Sequence, residues 1–137
     1  MKLGISRILL ATVALLASLS VSAETLTLKS VMQQLGKDLA EMNHGILIED
    51  YATIERTAMR IAEHPKPALV QRKAIMAKLG PDTATFKEYD GIVHNSAKAI
   101  SEAAKTSDML AIMEQQQQLF NGCIQCHSTF RPRLATE

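Results

Sequence analysis

Apolar residues recur along most of this chain at steps of three and four, the spacing that lines them up on one face of a helix. Leu28, Val31, Met32, Leu35, Leu39, Met42 and Ile46 form a first stripe, and Asn43-His44-Gly45 supplies its stop, since Gly and Asn tolerate the left-handed conformation that closes a helix. A second helix starts at once, with Glu49 and Asp50 at its positive N-terminal end and Tyr51, Ile54, Ala58 and Ile61 as its apolar face. His64-Pro65-Lys66-Pro67 ends it, because proline disfavours helix at the residue before it. A short amphipathic segment is expected between Ala68 and Leu79, within a longer crossover closed by Gly80-Pro81. Thr85 with Glu88 resembles a capping box for a third long helix, with Phe86, Tyr89, Val93, Ala97, Ile100 and Ala104 inward. Thr106-Ser107-Asp108 offers capping oxygens for a fourth, whose inward stripe is expected to be Met109, Met113, Gln116, Phe120, Cys123, His127 and Phe130, with Pro132 at its end. No segment sustains the period of two that a strand requires. The expected fold is all-α: an antiparallel four-helix bundle with tight turns after its first and third helices and a longer link between helices two and three.

The first residues do not belong to this pattern. Lys2 and Arg7 precede an apolar stretch from Ile8 to Val21, and Val21-Ser22-Ala23 is the small-x-small motif of a signal peptidase site. That stretch is about 14 residues long, short of the roughly 20 that span a bilayer. Residues 1–23 therefore read as a cleaved secretory signal and residues 24–137 as one soluble, exported domain with no membrane insertion. Loss of Lys2 and Arg7 turns a formal charge of +1 into −1, a balance that does not point to nucleic acid or an anionic surface. Gln115 to Gln118 reads as a solvated helix face with one residue turned inward.

The two cysteines, Cys123 and Cys126, stand three apart and are followed by His127. Cys-x-x-Cys-His is the attachment pattern of c-type haem: two thiols form thioethers to the porphyrin, and the imidazole is the proximal iron ligand. On a helix, Cys123 and His127 share a face and Cys126 lies on its flank, so one turn presents all three groups to one flat ligand. A thioredoxin-type pair would want a βαβ setting and a helix N-terminus. A zinc site would need two further ligands, for which only His127 with His94 or His64 offers itself, without finger-like spacing. A chance run is the remaining alternative. His44, His64 and His94, beside turn signals or on a polar face, read as surface residues.

Cys123-Ile124-Gln125-Cys126-His127-Ser128-Thr129-Phe130-Arg131 at the end of a four-helix bundle resembles the class II c-type cytochromes, cytochrome c′ and its low-spin relatives of the cytochrome c-556 type. The resemblance covers the whole chain after the leader. It implies one haem c per chain, held by Cys123 and Cys126, with His127 as one axial ligand. Low-spin members take their sixth ligand from a methionine near the start of the first helix, and Met32-Gln33-Gln34-Leu35-Gly36-Lys37-Asp38-Leu39 resembles that segment, which implies Met32 as distal ligand. It also implies Arg131 as a propionate or proximal contact, and a homodimer through the first two helices. Leu35, Leu39, Phe120 and Phe130 are candidate pocket residues, while Met42 and Met59 read as core. Met42 lies about 15 Å along the helix from Met32, so the two cannot serve one iron.

Soft methionine sulfur favours the reduced iron and closes the sixth position, which suits electron transfer. The expectation is thus a periplasmic electron-transfer cytochrome of a bacterium, with redox-protein partners and no enzymatic activity. The alternative is a five-coordinate protein that binds nitric oxide or carbon monoxide. A haem peroxidase would want a distal acid-base group, and no inward histidine or arginine accompanies Met32.

Overall fold

A computed structural model of the chain describes residues 26–135. The expected signal segment, residues 1–23, lies outside them. Five helices follow in order: α1 (Leu28–Leu47), α2 (Tyr51–Ala62), α3 (Leu69–Leu79), α4 (Thr83–Lys105) and α5 (Met109–Leu134). Four of them, α1, α2, α4 and α5, form the expected antiparallel bundle, and there is no strand among the described residues. Among the same residues no helix is long and apolar enough to cross a membrane.

Local chemistry accounts for the helix ends. Thr27 and Ser30 cap α1 reciprocally: the Thr27 hydroxyl accepts from the Ser30 amide and the Ser30 hydroxyl from the Thr27 amide, both at 3.0 Å. The helix does not stop at Asn43-His44-Gly45 as expected but runs on to Leu47. Gly45 is a packing residue there, because a Cβ would meet Ile54 Cγ1 and Thr53 Cγ2 at 3.2 Å, and the left-handed residue of the turn is Glu49, at φ 56°. Asp50 caps α2, accepting from the Thr53 amide at 3.1 Å and the Thr53 hydroxyl at 2.6 Å.

The crossover contains the expected amphipathic segment, now α3, and a 3-10 turn over Gly80–Asp82 that leads straight into α4. That continuity replaces the capping box expected at Thr85 and Glu88: the helix already starts at Thr83, whose hydroxyl donates to the Gly80 carbonyl at 2.9 Å. Asp108 caps α5 through the Ala111 amide, at 3.0 Å. Pro132 lies inside the last turn of α5 and does not end it; so near the C-terminus its missing N–H removes one bond from a turn that is already closing.

The main core lies between the four long helices, around Met42, Ile54, Ala58, Ile61, Ala97, Ile100, Ile112 and Leu119. A second cluster closes one end of the bundle, where Ile75 and Leu79 of α3 pack on Phe130 of α5 and on Phe86 and Tyr89 of α4. The Phe86 and Phe130 rings meet edge to face, 5.5 Å between centroids. The Ala68 amide donates to the Leu26 carbonyl at 2.8 Å, which ties the crossover to the start of α1. Around the bundle α1 packs on α2, α2 on α4 and α4 on α5, while α5 and α1 approach each other far less closely.

Candidate functional site

The loose side of the bundle holds an apolar cleft. Met32, Leu35, Gly36 and Leu39 of α1 form one wall and Leu119, Cys123 and His127 of α5 the other, with Ile61 of α2 and Val93 of α4 at the floor. The cleft measures about 110 Å³ and is partly open to solvent. Farther along the same two helices the Gln116 amide donates to Asn43 Oδ1 at 2.6 Å, so the gap is bridged at one end and open at the other.

Gly122 sets how α5 sits. A Cβ there would meet Ile92 Cγ2 and Val93 Cγ2 at 3.0 Å, so glycine is what lets α5 press this closely on α4. The contact also corrects the expected inward stripe. Ile112, Leu119, Gly122 and Phe130 are the buried residues of α5, whereas Met113 is exposed and His127 stands on the exposed lip of the cleft. The helix is turned so that the line through Met113, Phe120 and His127 runs along its edge. Phe120 and Phe130 do not line the cleft; Leu35 and Leu39 do.

The two thiols face different surroundings. Cys123 packs on the main core and lines the cleft, while Cys126 packs on the second cluster beside Phe130. Both are free thiols. Burial pushes the Cys123 thiol up, and burial, with the Asp90 carboxylate and Cys123 adding to it, pushes Cys126 up to about 11. Both are therefore protonated at neutral pH, and both lie past the middle of α5, far from the helix N-terminus that activates a thioredoxin-type thiol. Arg131 is exposed, one turn beyond His127. It is Arg133 that reaches back, its guanidinium 5.3 Å from the Phe130 ring centre and 2.9 Å from Asp82 Oδ2.

No family model, curated protein or solved structure matches this chain.

The site therefore rests on its own chemistry. A thioether sulfur, a thiol and an imidazole on the walls of one apolar cleft are a donor set that would suit a haem, with Met32 on one helix, Cys123 and His127 on another and aliphatic side chains to exclude water, while Cys126 faces the second cluster. The cleft lies between α1 and α5, the neighbouring pair of the bundle that packs least closely.

Two of the histidines expected at the surface are not there. His64, from the end of α2, and His94, on α4, flank Asp90, and their side chains are 11% and 28% exposed. The Asp90 carboxylate raises the His64 pKa above its ordinary value, while burial lowers that of His94. The i, i+4 spacing of Asp90 and His94 is visible in the sequence; the approach of His64 is a product of α2–α4 packing. Among the described residues this triad is the only group of three or more metal-binding side chains, so the zinc alternative built on Cys123, Cys126 and His127 with His64 or His94 is not assembled.

Proposed function

We propose that this chain is an exported c-type cytochrome, a periplasmic electron carrier with one covalently bound haem c. The observation that supports this best is the cleft itself: Met32 and His127, far apart in the sequence, line the same apolar gap together with Cys123. In this reading the Cys123 and Cys126 thiols would hold the group covalently, and the His127 imidazole and Met32 sulfur would be its iron donors. When bound, the haem supplies a one-electron iron couple. The chain's own part is to choose a soft sulfur as second donor, to keep water out with Leu35, Leu39, Ile61, Val93 and Leu119, and to leave the His127 edge at the surface, where electrons can enter and leave. Arg131, one turn beyond His127, is the cation this reading assigns to a propionate. A carrier of this kind docks transiently with redox proteins, carries out no enzymatic reaction of its own, and pairs as a homodimer through α1 and α2.

The test is an optical spectrum of the chain expressed in a periplasm with the haem-attachment machinery, ferric and then ferrous, with and without carbon monoxide. The expected result is a low-spin spectrum that carbon monoxide leaves unchanged, turning high-spin in Met32→Ala, with the haem staying on the chain in a denaturing gel and released when both cysteines are changed to serine. A high-spin wild type that binds carbon monoxide readily would move the reading to gas binding; a chain that takes up no haem would end it.

A further inference from the structure

We propose that His64, Asp90 and His94 form a second site, outside the cleft, that binds a divalent transition-metal ion of the zinc class. The three donors come from the end of α2 and from successive turns of α4, and their ligand atoms all lie within 4.8 Å of one another. His64 Nε2 is 3.4 Å from Asp90 Oδ1, and His94 Nε2 is 3.9 Å from Asp90 Oδ2. Around a tetrahedral zinc ion with bonds of about 2.0–2.1 Å, neighbouring donors stand roughly 3.3–3.4 Å apart, so small side-chain adjustments close the set. The His94 separation is too long for a hydrogen bond, which leaves that imidazole and the second carboxylate oxygen spaced as if to share a cation.

The outer contacts agree. His64 Nδ1 lies 3.3 Å from the Pro65 carbonyl, which can only accept, so Nδ1 carries the hydrogen and Nε2 turns to the cluster. A backbone carbonyl on the far nitrogen is the usual way a ligating histidine is oriented. Pro65 and Pro67 stiffen the backbone that carries it. The two imidazole rings lie 4.9 Å apart, tilted by 38°, and Asp90 is 44% exposed, so the set is open to solvent on one side, where water can complete the coordination. Lys66 and Lys98 lie near enough to oppose a cation, which sets the expected affinity below that of a closed four-ligand site. Two imidazoles and one carboxylate suit zinc, and also copper, nickel or ferrous iron, better than calcium or magnesium, which prefer oxygen alone.

The experiment uses the exported full chain with whatever cofactor it carries, its free thiols alkylated so that Cys123 and Cys126 take no metal. After chelator treatment it is dialysed against micromolar zinc chloride and bound zinc is counted by elemental analysis. One zinc per chain is expected, with affinity reduced tenfold or more in His64→Ala and in His94→Ala and unchanged in His44→Ala, an exposed histidine of α1. Circular dichroism reports whether each variant keeps its helices. Asp90→Asn, nearly isosteric, should lose affinity to the same degree and replaces a histidine variant that unfolds. A wild type that binds no zinc, or zinc retained in His64→Ala, His94→Ala and Asp90→Asn alike, overturns the proposal.

Discussion

The seating of α5 can be tested by one substitution made at two glycines. Gly91 and Gly122 are both inside helices, so replacing either with alanine gains about 1 kcal/mol of helix propensity. They differ in surroundings: among the described residues a Cβ at Gly91 meets nothing within 4 Å, whereas at Gly122 it meets two methyl carbons at 3.0 Å. Those methyls belong to Ile92 and Val93, whose β-branched side chains have little freedom to turn away, so α5 must shift; overpacking of this kind costs about 1–3 kcal/mol. Gly91→Ala is therefore expected to stabilise the fold by about 1 kcal/mol, and Gly122→Ala to fall below it by the steric cost alone, about 1–3 kcal/mol. Urea titration followed by helical circular dichroism measures both, and the comparison cancels the propensity gain. Equal stabilisation by the two variants would refute the close approach of α4 and α5 and, with it, the position of Cys123 on the cleft wall.

Three further outcomes are expected. Phe130→Ala should cost about 3–5 kcal/mol in the same titration, because Phe130 is fully buried and holds α3 against α4 and α5. Ser101→Ala should stabilise the chain by about 1 kcal/mol in thermal melts, since the Ser101 hydroxyl is buried without a hydrogen-bond partner among the described residues. The Asp50 carboxyl is held below its ordinary value by the Thr53 hydroxyl and amide, so its cap contributes at pH values above about 3.8 and is lost as pH falls through the lower folded value; Asp50→Asn, which caps without titrating, should show a shallower acid loss of α2 helicity, and identical acid profiles would count against the cap.

Helix existence is legible in this sequence wherever apolar residues repeat at three and four, and most of the buried apolar positions of α1, α2 and α4 fall on those stripes, whereas buried Asp38, Thr57, Ser96 and Ser101 do not. What the pattern does not carry is the role of small residues. Gly45 reads as a stop and is a contact; Gly122 gives no signal at all and determines which edge of α5 carries His127. Glycine has no apolar surface to register in a periodic pattern, and its effect appears only when a second helix is present. The Cys-x-x-Cys-His run is readable because its chemistry is local. The convergence of Met32 on the same cleft is not, and only the resemblance to class II cytochromes points to it. The His64 cluster stays hidden for the same reason, its third member arriving through α2–α4 packing.

The cleft has an energetic consequence of its own. Apolar side chains in a bundle close up when they can, and an apolar cleft of about 110 Å³ left partly open keeps its lining short of neighbours and in contact with water. Here the gap is bridged by the Asn43–Gln116 hydrogen bond at one end, and the second cluster anchors the last turns of α5 beyond its open end. Gly36 adds to it, since among the described residues nothing lies within 4 Å of where its Cβ would be. A larger side chain at that point should act in opposite directions on the empty and the loaded chain. Gly36→Leu should stabilise the chain without cofactor by about 1–2 kcal/mol, from helix propensity and the apolar surface it covers. It should also lower the yield of covalently attached haem, read from the ratio of haem absorbance to protein after periplasmic expression. A variant that gains stability yet loads haem as fully as wild type would mean that the group sits elsewhere, and Met32 would return to being a core methionine.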